Sequence, residues 1–201
     1  MSGIISDNQG RSSGLVKAAA ASSDLKKLGQ VTLSNGASAS FDGLFTSDYN
    51  KYEMVGNGIE PATNSGYYRF RVRASDADLT GSNYSNGNGR LYHDVNAENW
   101  WQARATGGSE DLDSGTTYWE TQGVTAVDSS SYLSSTKFTL YAPLQATRHV
   151  AEFEMISEDA TTMAKGYGVG VYHATTVLSG MTIYNSAGNM TGTFTLYGYV
   201  K

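Results

Sequence analysis

Cysteine is absent from this 201-residue chain and proline occurs only twice. No disulfide framework, thiolate nucleophile or cysteine-ligated zinc is available, so the fold must rest on packing and hydrogen bonds. Charge is scarce too, at 16% of residues with a net charge of -5. That leaves no basic stripe of the kind that neutralises phosphates, and no nucleic-acid partner is expected. Long apolar runs are missing: none approaches the roughly 18 to 20 residues that span a bilayer, and no basic-then-apolar leader opens the chain. The expectation is therefore a protein that is neither membrane-inserted nor conventionally secreted. What is plentiful is glycine (23), tyrosine (14), serine, threonine and asparagine. That mixture favours strands joined by tight turns, in a chain long enough to bury roughly 70% of its unfolded surface.

The chain divides near residue 29. Residues 1–28 are rich in Ser, Gly and Ala, with Ile4, Ile5, Leu15, Val16, Leu25 and Leu28 as their apolar anchors. They read as an arm, and the run Ala18 to Ala21 followed by Lys26 and Lys27 predicts a short helix within residues 14–28. Residues 29–201 are punctuated by Asn35-Gly36, Asn57-Gly58, the Asn86 to Gly89 run and Gly107-Gly108, each a turn signal. Between them, ten candidate strands predict an all-β body, an antiparallel β-sandwich or jelly roll. The clearest is the segment 67–74, where Tyr68, Phe70, Val72 and Ala74 alternate with Tyr67, Arg69, Arg71 and Arg73. At the C-terminal end Phe194, Leu196 and Gly198 alternate in the same way with Thr193, Thr195, Tyr197 and Tyr199.

Candidate chemistry is sparse. His93, His149 and His173 show no metal-ligand spacing, and Gly168-Val-Gly-Val-Tyr-His173 lacks the Lys-Ser or Lys-Thr of a phosphate loop. It reads as a glycine-containing strand. Glu110, Asp111 and Asp113 before Gly115 have the acidity of a calcium loop without its full pattern. No metal or cofactor follows from these residues. A glycosidase would need two carboxylates facing across a cleft, whereas Glu152 and Glu154 share the outer face of one strand and Asp76 and Asp78 fall at a turn. Arg69, Arg71 and Arg73 stack like charges on one face, which calls for acidic neighbours on adjacent strands, a subunit interface or an anionic ligand. Trp100 and Trp101 are adjacent, so a strand would point one of them outward. With Tyr84 and Tyr118 they are candidates for subunit contact or for stacking on a sugar ring.

Three segments carry a resemblance. Met1-Ser-Gly-Ile-Ile5 followed by Arg11-Ser-Ser-Gly14-Leu-Val16 resembles the opening peptide of many structural proteins of marine and cyanobacterial phages. Phe45-Thr-Ser-Asp-Tyr49-Asn-Lys-Tyr52, leading to Arg69-Phe-Arg-Val-Arg73-Ala, and Gly192-Thr-Phe-Thr-Leu-Tyr-Gly198 are similar to segments of the same broad group. The resemblance implies a β-sandwich body, usually a homotrimer, with an N-terminal arm that docks into capsid, neck or tail through Ile4, Ile5, Leu15 and Val16. It implies a virion location, other virion proteins as partners and no catalytic activity. The chain departs from long tail fibres, having no heptad run and no collagen-like glycine period. A short fibre or head, neck or tail appendage fits best; a capsid decoration protein and a module binding a host surface glycan are the alternatives.

Overall fold

Period-two alternation gives a strand one wet face and one dry face, and two sheets then bury their dry faces against each other. A computed structural model describes residues 24–63, 66–94, 101–105, 113–121, 134–158 and 162–201. Along the chain the strands are β1 (Leu25–Gly36), β2 (Ser38–Phe41), β3 (Tyr49–Pro61), β4 (Tyr68–Ala74), β5 (Ala77–Asp78), β6 (Tyr84–Asp94) and β7 (Trp101–Ala105). They continue with β8 (Asp113–Thr116), β9 (Trp119–Glu120), β10 (Ser134–Tyr141), β11 (His149–Glu158), β12 (Thr162–Tyr172), β13 (Gly180–Asn185) and β14 (Met190–Val200). The larger sheet runs β1-β14-β3-β10-β11-β12-β6-β7, with β8 also on β6; the smaller runs β2-β13-β4-β5, with β9 also on β4. Every pairing between these strands is antiparallel, and the body is an antiparallel β-sandwich.

The core is aromatic. Phe138 and Phe153 of the larger sheet stack near Phe70 of the smaller, with ring centroids 4.7 Å and 5.8 Å from it. Trp119 lies 5.5 Å from Phe138 and edge-on to Tyr84 at 5.0 Å. Such pairs contribute about 0.5–1.5 kcal/mol each beyond area burial. Glycines on the inner face of β12 make room for these rings: a Cβ on Gly168 would meet the Phe153 ring at 2.2 Å, and one on Gly170 would meet Trp119 Nε1 at 2.4 Å. Residues 168–172 are thus the end of a sheet strand, with glycines inward and Val169 and Val171 outward, and His173 follows it.

Three local expectations are corrected. Leu25 to Leu28, expected to end a helical arm, belong to β1, where Leu25, Lys26 and Lys27 pair with Tyr199, Gly198 and Tyr197. The regular β14 supplies hydrogen-bonding partners for an extended backbone, and that outweighs local helix preference. Residues 1–23 of the expected arm lie outside the described residues. Asn86 to Gly89, expected to turn, lie inside β6 opposite Gly170, Val169, Gly168 and Tyr167. Asn57-Gly58 forms no hairpin but a bulge within β3, with Gly58 at φ 59 and register shifts in both flanking ladders. Asn35, at φ 58, does end a strand, where the chain leaves the larger sheet for β2 in the smaller.

Candidate interaction faces

The two outer faces of the sandwich are chemically unlike. On the smaller sheet, β4 alternation places Arg69, Arg71 and Arg73 outward, and acidic residues from neighbouring elements meet them. Arg69 pairs with Glu120 at 2.5 Å and lies over the Tyr118 ring at 4.0 Å. Arg71 pairs with Asp78 at 3.7 Å, lies over Tyr184 at 4.7 Å and donates to the Thr117 carbonyl at 3.0 Å. Arg73, its side chain only 12% exposed, bonds to Asp42 at 2.5 Å and to Asp78, and donates to Thr182 at 3.0 Å. Burial works against the Arg73 charge, but the two aspartates more than compensate and hold its pKa above the ordinary value. The three guanidiniums therefore have counter-charges within the chain.

The outer face of the larger sheet is mixed. Across β14, β3, β10 and β11 it carries a polar lattice in which Lys51 lies over Tyr199 at 4.1 Å, Tyr199 donates to Glu53 and Tyr141 to Glu152, each at 3.1 Å. Partial burial and these carboxylates raise both tyrosine pKa values. Glu154 sits between Lys137 at 3.4 Å and Lys165 at 3.2 Å. Partial burial raises its pKa, and the two lysines outweigh that and bring it below the ordinary value.

On β11 and β12 the same face adds exposed apolar side chains among its charged ones. Val150, Ile156, Met163, Tyr167 and Val169 are 43% to 58% exposed, and they are five of the six large hydrophobic side chains exposed among the described residues. The register interleaves them with charge: Val150 is opposite Val171, but Val169 is opposite Glu152, Tyr167 opposite Glu154, Ile156 opposite Lys165 and Met163 opposite Glu158. On the next strand Val169 faces Gly87 and Tyr167 faces Gly89, where a Cβ would meet the Tyr167 ring at 2.6 Å. The glycines of β6 thus let the Tyr167 ring lie down on the sheet. Tyr167, Val169 and Val171 follow one another along the outer face of β12, with Val150 opposite Val171, and an apolar run of this kind among polar residues is a candidate contact surface.

The candidate residues read from the sequence scatter over the molecule rather than converging. Tyr84, a candidate for subunit contact or sugar stacking, is fully buried: its hydroxyl donates to the Leu79 carbonyl at 2.7 Å and accepts from the Val72 amide at 3.2 Å. Its ring fills the core between Trp119 and Tyr172, so it offers nothing to a sugar. Tyr118 is half-buried under Arg69. Trp101 begins β7, opposite His93 on β6. Trp100, Ile4, Ile5, Leu15, Val16, Glu110 and Asp111 lie outside the described residues. Asp78 belongs to β5 within the arginine cluster, Asp76 lies in the preceding turn, and Asp113 begins β8. Among the described residues no three His, Asp or Glu side chains group as metal ligands. His149 is buried with Nε2 at 2.8 Å from the Thr176 carbonyl, and His173 Nε2 lies 2.7 Å from the Ser85 hydroxyl.

The apolar stripe is the feature that sequence reasoning missed. Its signal was present in β11: the alternation that puts Glu152 and Glu154 outside also puts Val150 and Ile156 outside.

No protein-family model matches the chain, and no curated protein matches it. Among solved structures it is similar to a non-specific endo-β-1,3(4)-glucanase from family GH16, at 8% identity over 81% of this chain and 62% of that one, with a TM-score of 0.24. It is similar also to infectious bursal virus derived T=1 particles, at 9% identity over 88% and 40% with a TM-score of 0.17. A third is the laminarinase catalytic domain from Thermotoga maritima MSB8, at 10% identity over 88% and 77% with a TM-score of 0.20. The chain spans less than two thirds of the first two, and at these scores the likenesses carry no argument.

Proposed function

We propose that this chain is a non-enzymatic structural subunit of a phage virion, a short fibre or a head, neck or tail appendage. Its sandwich body packs against neighbouring virion proteins through the outer face of β11 and β12. The observation that supports this is the set of exposed apolar side chains Val150, Ile156, Met163, Tyr167 and Val169, interleaved with a lattice in which Glu154 pairs with Lys137 and Lys165 and Glu152 accepts from Tyr141. Covering Glu154 together with its two lysines costs less than covering a lone carboxylate would. The virion assignment rests on the resemblance carried by the segments 1–16, 45–52 and 192–198, and the arm with Ile4, Ile5, Leu15 and Val16 serves as the anchor.

The test is a Val150→Lys/Val169→Lys variant. Both side chains are more than half exposed, so the fold should survive, as circular dichroism and an unchanged melting temperature would report. Incorporation of the variant into particles should fall sharply relative to wild type. Normal incorporation of a folded variant would overturn the role given to this face.

A further inference from the structure

Most cations on the two outer faces have a carboxylate of their own. The three arginines of β4 meet Glu120, Asp78 and Asp42, and Lys137 and Lys165 share Glu154. Lys51 differs: among the described residues no carboxylate lies within ion-pair distance of its ammonium. Two rings hold it instead, with Nζ 4.1 Å from the centre of Tyr199 and 5.8 Å from that of Tyr141. The register produces this arrangement, since Tyr199 of β14 and Tyr141 of β10 are both direct partners of Lys51 on β3. The next row sets Tyr197 and Thr139 on either side of Glu53. Thr139 alternates outward between the core residues Phe138 and Leu140 yet is only 3% exposed, so longer side chains close over the sheet and their tips form the surface.

The groups left unsatisfied define what this patch can hold. Lys51 offers N–H donors that no carboxylate takes up. Glu53 accepts from Tyr199 through Oε2, which leaves its other oxygen without a partner among the described residues. Tyr141 donates to Glu152, so the hydroxyls of Tyr141 and Tyr199 keep only acceptor capacity. We propose that Lys51, Glu53, Tyr141 and Tyr199 form a binding site for a neutral glycan. A sugar hydroxyl both accepts and donates, so neighbouring hydroxyls of one ring can take a proton from Lys51 and give one to Glu53, beside the apolar faces of two tyrosines. Other ligand chemistries fit worse. Glu53 cancels the one ammonium, and Glu152 follows in the same row beyond Thr139, so a sulfated or carboxylated ligand gains no net attraction. An apolar protein surface would strip water from Lys51 and Glu53 and return no hydrogen bond to either. Tyr199 and Tyr141 stand two strands apart, about 10 Å, which suits a short run of linked hexoses crossing the strands.

This site lies on β14, β3 and β10, beside the β11–β12 face, and holds whether or not the chain is a virion subunit. In the test, fluorescently labelled full-length protein is applied to an array of neutral and acidic glycans, and the strongest neutral ligand is then titrated by calorimetry. At least one neutral glycan should bind in preference to the sulfated and uronic-acid glycans. Lys51→Met and Tyr199→Leu, both on the half-buried outer row, should each weaken that binding by about tenfold while circular dichroism stays unchanged. Glu158→Gln, an exposed position at the end of β11, should bind as wild type does. Binding confined to acidic glycans, binding to no neutral glycan on the array, or full affinity in both Lys51→Met and Tyr199→Leu would overturn the inference.

Discussion

Replacing Gly168 by alanine separates the two effects that a strand glycine combines. Gly168 lies in ordinary extended backbone, so alanine should gain about 0.5–1 kcal/mol by restricting the unfolded chain. Its Cβ, however, would stand 2.2 Å and 2.4 Å from Cε2 and Cζ of Phe153 and 2.4 Å from Asn88 Oδ1. Phe153 cannot easily withdraw, because it is stacked 6.5 Å from Phe138 and sits 5.8 Å from Phe70. Overpacking of a core costs about 1–3 kcal/mol, and the net loss of about 1–2 kcal/mol should lower Tm by about 2–8 °C. Gly87 is the internal control: on the adjacent strand, its Cβ would approach nothing closer than Val169 Cγ2 at 3.9 Å. Gly87→Ala should leave Tm unchanged or raise it slightly. Thermal and urea unfolding of both variants measures the difference. A Gly168→Ala protein as stable as Gly87→Ala would refute the close approach of Phe153 to β12 and the sheet packing derived from it.

Other outcomes follow from the ion-paired faces. Arg73→Ala should cost about 1–3 kcal/mol in urea denaturation, by leaving Asp42 and Asp78 without their shared cation. Arg73→Lys should recover only part of this, because an ammonium cannot reach both aspartates and Thr182 as the guanidinium fork does. For Glu154 the folded pKa is depressed, so its stabilisation is present above the unfolded carboxylate pKa and lost as pH falls through the folded value. Glu154→Gln should therefore be less stable than wild type at pH 7, by under about 1 kcal/mol for a pair this exposed. The gap should close below about pH 4, and a gap that persists there would contradict the pairing with Lys137 and Lys165.

The strands whose outward residues are polar were legible from sequence. In β4 the arginines, and in β14 the threonines and tyrosines, mark the wet face, and Phe70, Val72, Phe194 and Leu196 are buried as their alternation requires. β6 was not legible, because Asn and Gly carry a strong local preference for turns. That preference is overridden by partners distant in sequence: the Tyr167 ring over Gly89, and a complete ladder with β12. β12 conceals its direction for a related reason. Its large residues, Val169 and Val171, face outward while Gly168 and Gly170 face the core, the reverse of the usual order, and only the register against β11 decides between them. The exposed apolar residues of β12 were hidden by the same inversion, while those of β11 follow from its ordinary alternation.

The central proposal, that this is a virion subunit, is tested most directly by quantitative mass spectrometry of gradient-purified phage particles from a lysate in which the chain is expressed. Peptides from the sandwich body should be present at a fixed ratio to the major capsid protein, surviving salt washes that strip adventitious protein. Particles that are complete and infectious yet free of those peptides would contradict it.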